Sequence, residues 1–173
     1  LVGTFFTLDL DEARAALAYR EQLEALSETI VRDCAGPDCH THIGFEPIPS
    51  RQAVIEIIDM LRELLFPGFF SRVRVDPVNF RYAIGQVSTS LFDLLSEQVQ
   101  RSIRHECFRL QSECTNCEDR GYQAALHVLE SIPELRRVLA TDIRATFDGD
   151  PAAKTTDEIV YSYPGLQAIA VYR

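Results

Sequence analysis

DPVNFRYAIGQVSTSLFDLLSEQVQRSIRHEC, residues 76–107, decides the fold. Ile84, Val87, Leu91, Leu94, Leu95, Val99 and Ile103 recur at intervals of three and four, which places them on one stripe of an α-helix and fits no strand. Asp76 can cap free amides, and Pro77 suits the first helical position because that amide has no intrahelical partner. A helix of roughly 30 residues exceeds the usual globular length, so this segment is expected to act as a spine for the others.

The same period extends outward in both directions. Asp9 and Glu12 have the spacing of a capping box, and Leu10, Ala13, Leu17, Leu23, Leu26 and Ile30 carry an amphipathic helix to about Asp33. Residues 34–49, with Gly36, Pro37, Gly44, Pro47 and Pro49, read as an irregular connector. Ser50 is a good N-cap for a helix striped by Val54, Ile57, Ile58, Leu61, Leu64 and Leu65, which Phe66-Pro67-Gly68 ends. On the other side, a helix is predicted from about Asp119 to Ser131. Pro133 starts another, with Leu135, Val138, Leu139 and Ile143 facing inward, until Asp148-Gly149 stops it through a glycine able to turn left-handed. Asp150-Pro151 restarts the chain, and a last helical stretch covers about 156–173, interrupted near Pro164-Gly165. With no strand pattern and no repeat, the fold class is all-α: a multi-helix bundle forming one domain over residues 1–173.

Composition bounds the partners. The 173 residues are 46% hydrophobic, enough for a real core, and the net charge of −9 would repel nucleic-acid phosphates and anionic lipid. No apolar run approaches the roughly 18–20 residues that span a bilayer, and the start LVGTFFTLDLDEAR lacks a basic flank and a small-residue cleavage site. The reading is a cytoplasmic protein, with no nucleic-acid or membrane partner.

The cysteines at 34, 39, 107, 114 and 117 are odd in number, which argues against a fully paired disulfide framework. His105-x-Cys107 followed by Cys114-x-x-Cys117 offers four soft ligands able to satisfy tetrahedral zinc, while Cys34, Cys39, His40 and His42 offer more. The alternative is that these are ordinary buried or exposed thiols. His127, inside an amphipathic helix, reads as a partly buried structural histidine. None of the four histidines forms a hydrolase pattern with a nearby nucleophile. Arg136, Arg137 and Arg144 are interleaved with acids along a helix and read as a solvated face. Asp150-Pro151-Ala152-Ala153 makes a good helix start, with Asp150 capping the amide of Ala152 or Ala153.

The segment LATDIRATFDGDPAAKTTDEIVYSYPGLQAIAVYR, residues 139–173, resembles the long-type bacterial serine O-acetyltransferases. Asp148-Gly149-Asp150-Pro151-Ala152-Ala153-Lys154 and Tyr163-Pro164-Gly165 carry the likeness most specifically, and Ala168-Ile169 and Tyr172-Arg173 follow. Upstream, Pro49-Ser50-Arg51, Leu65-Phe66-Pro67-Gly68-Phe69 and Pro133-Glu134-Leu135-Arg136 fit as well. The resemblance implies an enzyme that moves acetyl from acetyl-CoA to the hydroxyl of L-serine in cysteine biosynthesis, with residues 150–173 leading toward a left-handed parallel β-helix of hexapeptide repeats. No such repeat occurs before Arg173. The general base and its partner would lie in that β-helix, so these residues alone are expected to be inactive, with no catalytic residue and no cofactor of their own.

By the same resemblance Asp150 binds the serine substrate. The region joins two trimers back to back into a hexamer, and cysteine synthase would bind a C-terminal tail absent from this chain. A reading of another class is a free-standing helical interaction module, stabilised by zinc, without catalysis.

Overall fold

The computed structural model describes residues 10–36, 40–42, 44 and 47–172, with no side-chain description for 10–12. Six helices occur in order: α1 (Leu10–Cys34), α2 (Arg51–Leu65), α3 (Phe80–Arg109), α4 (Cys117–Gly149), α5 (Thr156–Ser162) and α6 (Pro164–Tyr172). No strand occurs among the described residues, so the all-α expectation holds. None of the described helices is long and apolar enough to cross a membrane.

The chain forms two compact units, residues 1–45 and 46–173. In the first, α1 follows the expected stripe, but Leu17, Leu23, Leu26 and Ile30 are each more than half exposed. Its end closes with Gly36 N–H donating to the Asp33 carbonyl at 3.0 Å. The capping contact expected of Asp9 and Glu12, and the candidate ligand Cys39, lie outside the described residues and side chains.

The second unit is built on α3, as its length and apolar stripe require. Helix α3 starts at Phe80 rather than at Asp76-Pro77, and its N-cap Asn79 makes no side-chain cap bond. Asp76 instead caps the turn before it, where Oδ1 accepts the amides of Val78 at 2.8 Å and Asn79 at 3.0 Å, while Asn79 Oδ1 accepts the Asp76 amide at 2.9 Å. This reciprocal pair satisfies amides that no helical turn could. Ser50 starts α2 as expected, its hydroxyl accepting from Ala53 N at 3.4 Å. Its own amide donates at 2.8 Å to Oε1 of the buried Gln98 on α3, a tie the local sequence does not show. Phe66, Pro67 and Gly68 end α2, with Gly68 at φ 85°. Val54, expected on the inner stripe, is instead exposed.

Two expectations change in α4. Residues 117–149 form one helix of 33 residues rather than two, with Pro133 inside it. An interior proline costs about 3 kcal/mol through a lost hydrogen bond and a clash one turn back. Ala125 and Ile132 before it, and Leu139 after it, are all buried, so the packed face continues through the exposed Pro133 and outweighs that cost. Gly149, moreover, has no positive φ. The helix stops because Asp150 turns extended, at φ −115° and ψ 103°, as a residue before proline prefers.

Helices α3 and α4 run antiparallel, since Arg104 meets Glu118 at 3.1 Å and the Phe92 and Tyr122 rings stack at 5.8 Å. Gly121 makes the crossing tight: a Cβ there would lie 2.9 Å from the Ser96 carbonyl oxygen. Leu64 and Leu65 of α2, Leu91 of α3, Leu139 of α4, Ile159 of α5 and Leu166 of α6 share one core. Docking α5 and α6 against it fixes the segment that carries Asp150.

Candidate functional site at Asp150

Asp150 sits between α4 and α5, and Tyr163 between α5 and α6. Their side chains meet: the Tyr163 hydroxyl donates to Asp150 Oδ2 at 2.7 Å. The other oxygen, Oδ1, accepts the Ala152 amide at 2.9 Å, and the Asp150 carbonyl accepts from Ala153 N at 3.1 Å. Asp150 therefore caps a turn at 151–152 rather than a helix starting at Pro151; the next helix begins at Thr156. Thr155 caps α5 by accepting from Glu158 N at 3.1 Å, and Glu158 Oε2 accepts the Lys154 amide at 3.0 Å. Ile159 and Val160, both buried, anchor α5 from below. The pair thus closes over a short helix whose two ends are each fixed.

Electrostatics follow from these bonds. The Tyr163 hydroxyl, and secondarily the Ala152 amide, hold the Asp150 carboxyl below its ordinary value of 3.8, against a smaller opposing effect of desolvation. The same hydrogen bond, then desolvation and the charges of Asp150 and Glu158, push the Tyr163 phenol up. At neutral pH the site is a half-buried carboxylate with its plane set by two donors. A carboxylate has about four acceptor positions, so room remains for a cation such as an ammonium group.

Asp148 is exposed and lines a cleft of about 680 Å³ with Arg136, Arg144 and Asp157. Arg137 pairs with Glu134 on the exposed side of α4, in line with a solvated face. His127 is exposed, so it is not the partly buried histidine expected from its helix.

The structure brings three of the four proposed metal ligands together. The sulfurs of Cys107, Cys114 and Cys117 all lie within 4.8 Å of one another, and Cys114 and Cys117 are joined as a disulfide. His105 is not in that group. Cys34 and Cys107 are free thiols.

No local signal marks Tyr163 as the partner of Asp150. Both residues stand in conspicuous motifs, but they lie 13 positions apart and only the docking of α5 brings them together. The architecture is that of a helical domain presenting a fixed carboxylate near one end of its core. No family model matches the chain. The chain is 31% identical over 132 residues to the protein of Synechococcus elongatus described as serine acetyltransferase, plasmid. The chain belongs to the serine acetyltransferase family. The matched stretch covers 75% of this chain and 41% of that relative's length.

Proposed function

We propose that this chain is the helical part of an enzyme that transfers acetyl from acetyl-CoA to the hydroxyl of L-serine, a step of cysteine biosynthesis. Asp150 is the residue assigned to substrate: its carboxylate would pair with the serine ammonium and so aim the hydroxyl at a base supplied from outside residues 1–173. The observation that carries the reading is the clamp on Asp150, where Tyr163 and Ala152 hold both oxygens and leave the group ionised. A positioned charge of this kind lowers the entropic cost of reaction without itself moving a proton.

The helices, by the same proposal, hold copies of the enzyme together, and residues 1–173 alone do not catalyse. The exposed apolar stripe of α1 supports that part, because leucines and isoleucine in register gain by being covered. The test is CoA release from acetyl-CoA by the whole protein: release that depends on serine supports the assignment, and release indifferent to serine contradicts it.

A further inference from the structure

The loop between α3 and α4 gathers three sulfurs, and a disulfide accounts for only two of them. Cys107 lies near the end of α3, Cys114 in the exposed connection, and Cys117 at the start of α4, with all three sulfurs within 4.8 Å. The backbone pays for this convergence. Gln111 at φ 51° and Asn116 at φ 58° are the only non-glycine residues with positive φ among those described, and both lie in this loop. Such conformations cost on the order of 1 kcal/mol for a residue like Gln and gather at functional sites.

We propose that Cys107, Cys114 and Cys117 form a three-thiolate site for zinc, available when the Cys114–Cys117 disulfide is reduced, with the fourth position taken by solvent. The proposal is independent of the acetyl-transfer reading.

The chemistry suits the geometry. Tetrahedral zinc with Zn–S bonds of about 2.3 Å sets sulfurs about 3.8 Å apart. Reduction lets Cys114 and Cys117 part to that spacing, and Cys107 needs to approach by about 1 Å. Cys114 is exposed in an irregular segment, and Cys107 is half-buried at a helix end, so both can adjust. Cys117 opens the long helix α4 and is buried, so it is the fixed ligand toward which the other two adjust. Three thiolates on Zn²⁺ leave one net negative charge. The cleft of about 630 Å³ beside the site carries Arg104, already paired with Glu118 at 3.1 Å, and Asp119, so solvent at the exposed Cys114 rather than Arg104 screens that charge.

The redox step balances with a dithiol reductant. It delivers two electrons and two protons to the disulfide, giving two thiols, and leaves as its own disulfide. Zinc then displaces three protons from three thiols. In the test a water-soluble phosphine replaces the dithiol, because dithiols themselves bind zinc; the phosphine takes up the oxygen of one water as it reduces the bond.

Whole protein, reduced or left oxidised, is titrated with Co²⁺ as a coloured probe and then with Zn²⁺. Reduced protein should take about one Co²⁺ per chain with thiolate-to-cobalt charge-transfer absorption, and Zn²⁺ should abolish that absorption. Oxidised protein should show none. Cys107→Ser should weaken uptake at least about tenfold with the helical circular dichroism retained, whereas His105→Ala should leave it unchanged. Absence of the absorption in reduced protein, equal uptake after oxidation, or full uptake in Cys107→Ser overturns the proposal. The comparison of reduced with oxidised unmutated protein decides even if the variant fails to fold.

Discussion

Gly121→Ala should destabilise the second unit by about 1 kcal/mol, although alanine is the better helix former. The added Cβ would stand 2.5 Å from Gln100 Cγ and 2.9 Å from the Ser96 carbonyl oxygen. The Gln100 side chain can swing aside; the Ser96 carbonyl is helix backbone and cannot. Restoring ordinary contact, about 3.4 Å, requires α3 and α4 to separate locally by about half an ångström, and overpacking of this kind costs about 1–3 kcal/mol. Helix propensity returns about 1 kcal/mol of that, which leaves a net loss near 1 kcal/mol. Gly85→Ala is the matched control, because it too lies inside a helix but a Cβ there meets nothing within 4 Å. It should gain about 1 kcal/mol. Urea unfolding with an unchanged m-value measures both, and each kcal/mol should move Tm by about 2–4 °C. Equal stabilisation by the two substitutions would refute the tight crossing of α3 and α4.

The Asp150 clamp has a pH signature. A carboxyl lowered by folding contributes stability that is fully present above its ordinary value of 3.8 and is lost as pH falls below it, through the folded value. Tyr163→Phe removes the largest cause of that lowering, so a carboxyl-carbon NMR titration should show Asp150 shifting upward, with the Ala152 amide keeping part of the effect; no shift would dissolve the clamp. Leu139→Ala, at a side chain only 1% exposed where α4 meets the shared core, should cost about 2–5 kcal/mol in the same urea assay, and a cost below 1 would misplace that core.

What the sequence made legible was local. The stripe from Ile84 to Ile103 announces α3 because side chains three and four apart share a face, and Leu91 at its centre is fully buried. Ser50 caps α2, and Asp76 the turn that precedes α3, because their short oxygens reach amides two or three residues on. What the sequence hid was tertiary. Pro133 looks like a helix start, and only the buried face running from Ala125 to Leu139 keeps α4 whole across it. The α1 period is sound, yet period alone does not tell what covers Leu17 or Leu23. At the site, Asp150 was visible through its motif and its capping chemistry, whereas Tyr163 becomes its partner only once α5 docks. The four soft ligands in sequence reduce to three in space because the turn at Gln111 and Asn116 folds Cys107 toward Cys114 and Cys117.

Steady-state kinetics of Asp150→Asn in the whole protein tests the role of the Asp150 carboxylate most directly. Asparagine retains an oxygen to accept the Ala152 amide, so the melting curve should stay close to that of the unmutated protein. The charge is lost, and the Tyr163 hydroxyl, which donates to Oδ2, must turn to accept from the new amide instead. With each substrate varied in turn, kcat/KM for serine should fall roughly ten- to a hundredfold while the KM for acetyl-CoA changes little. An unchanged dependence on serine, with any defect of Asp150→Ala confined to stability, would show that Asp150 only caps a turn.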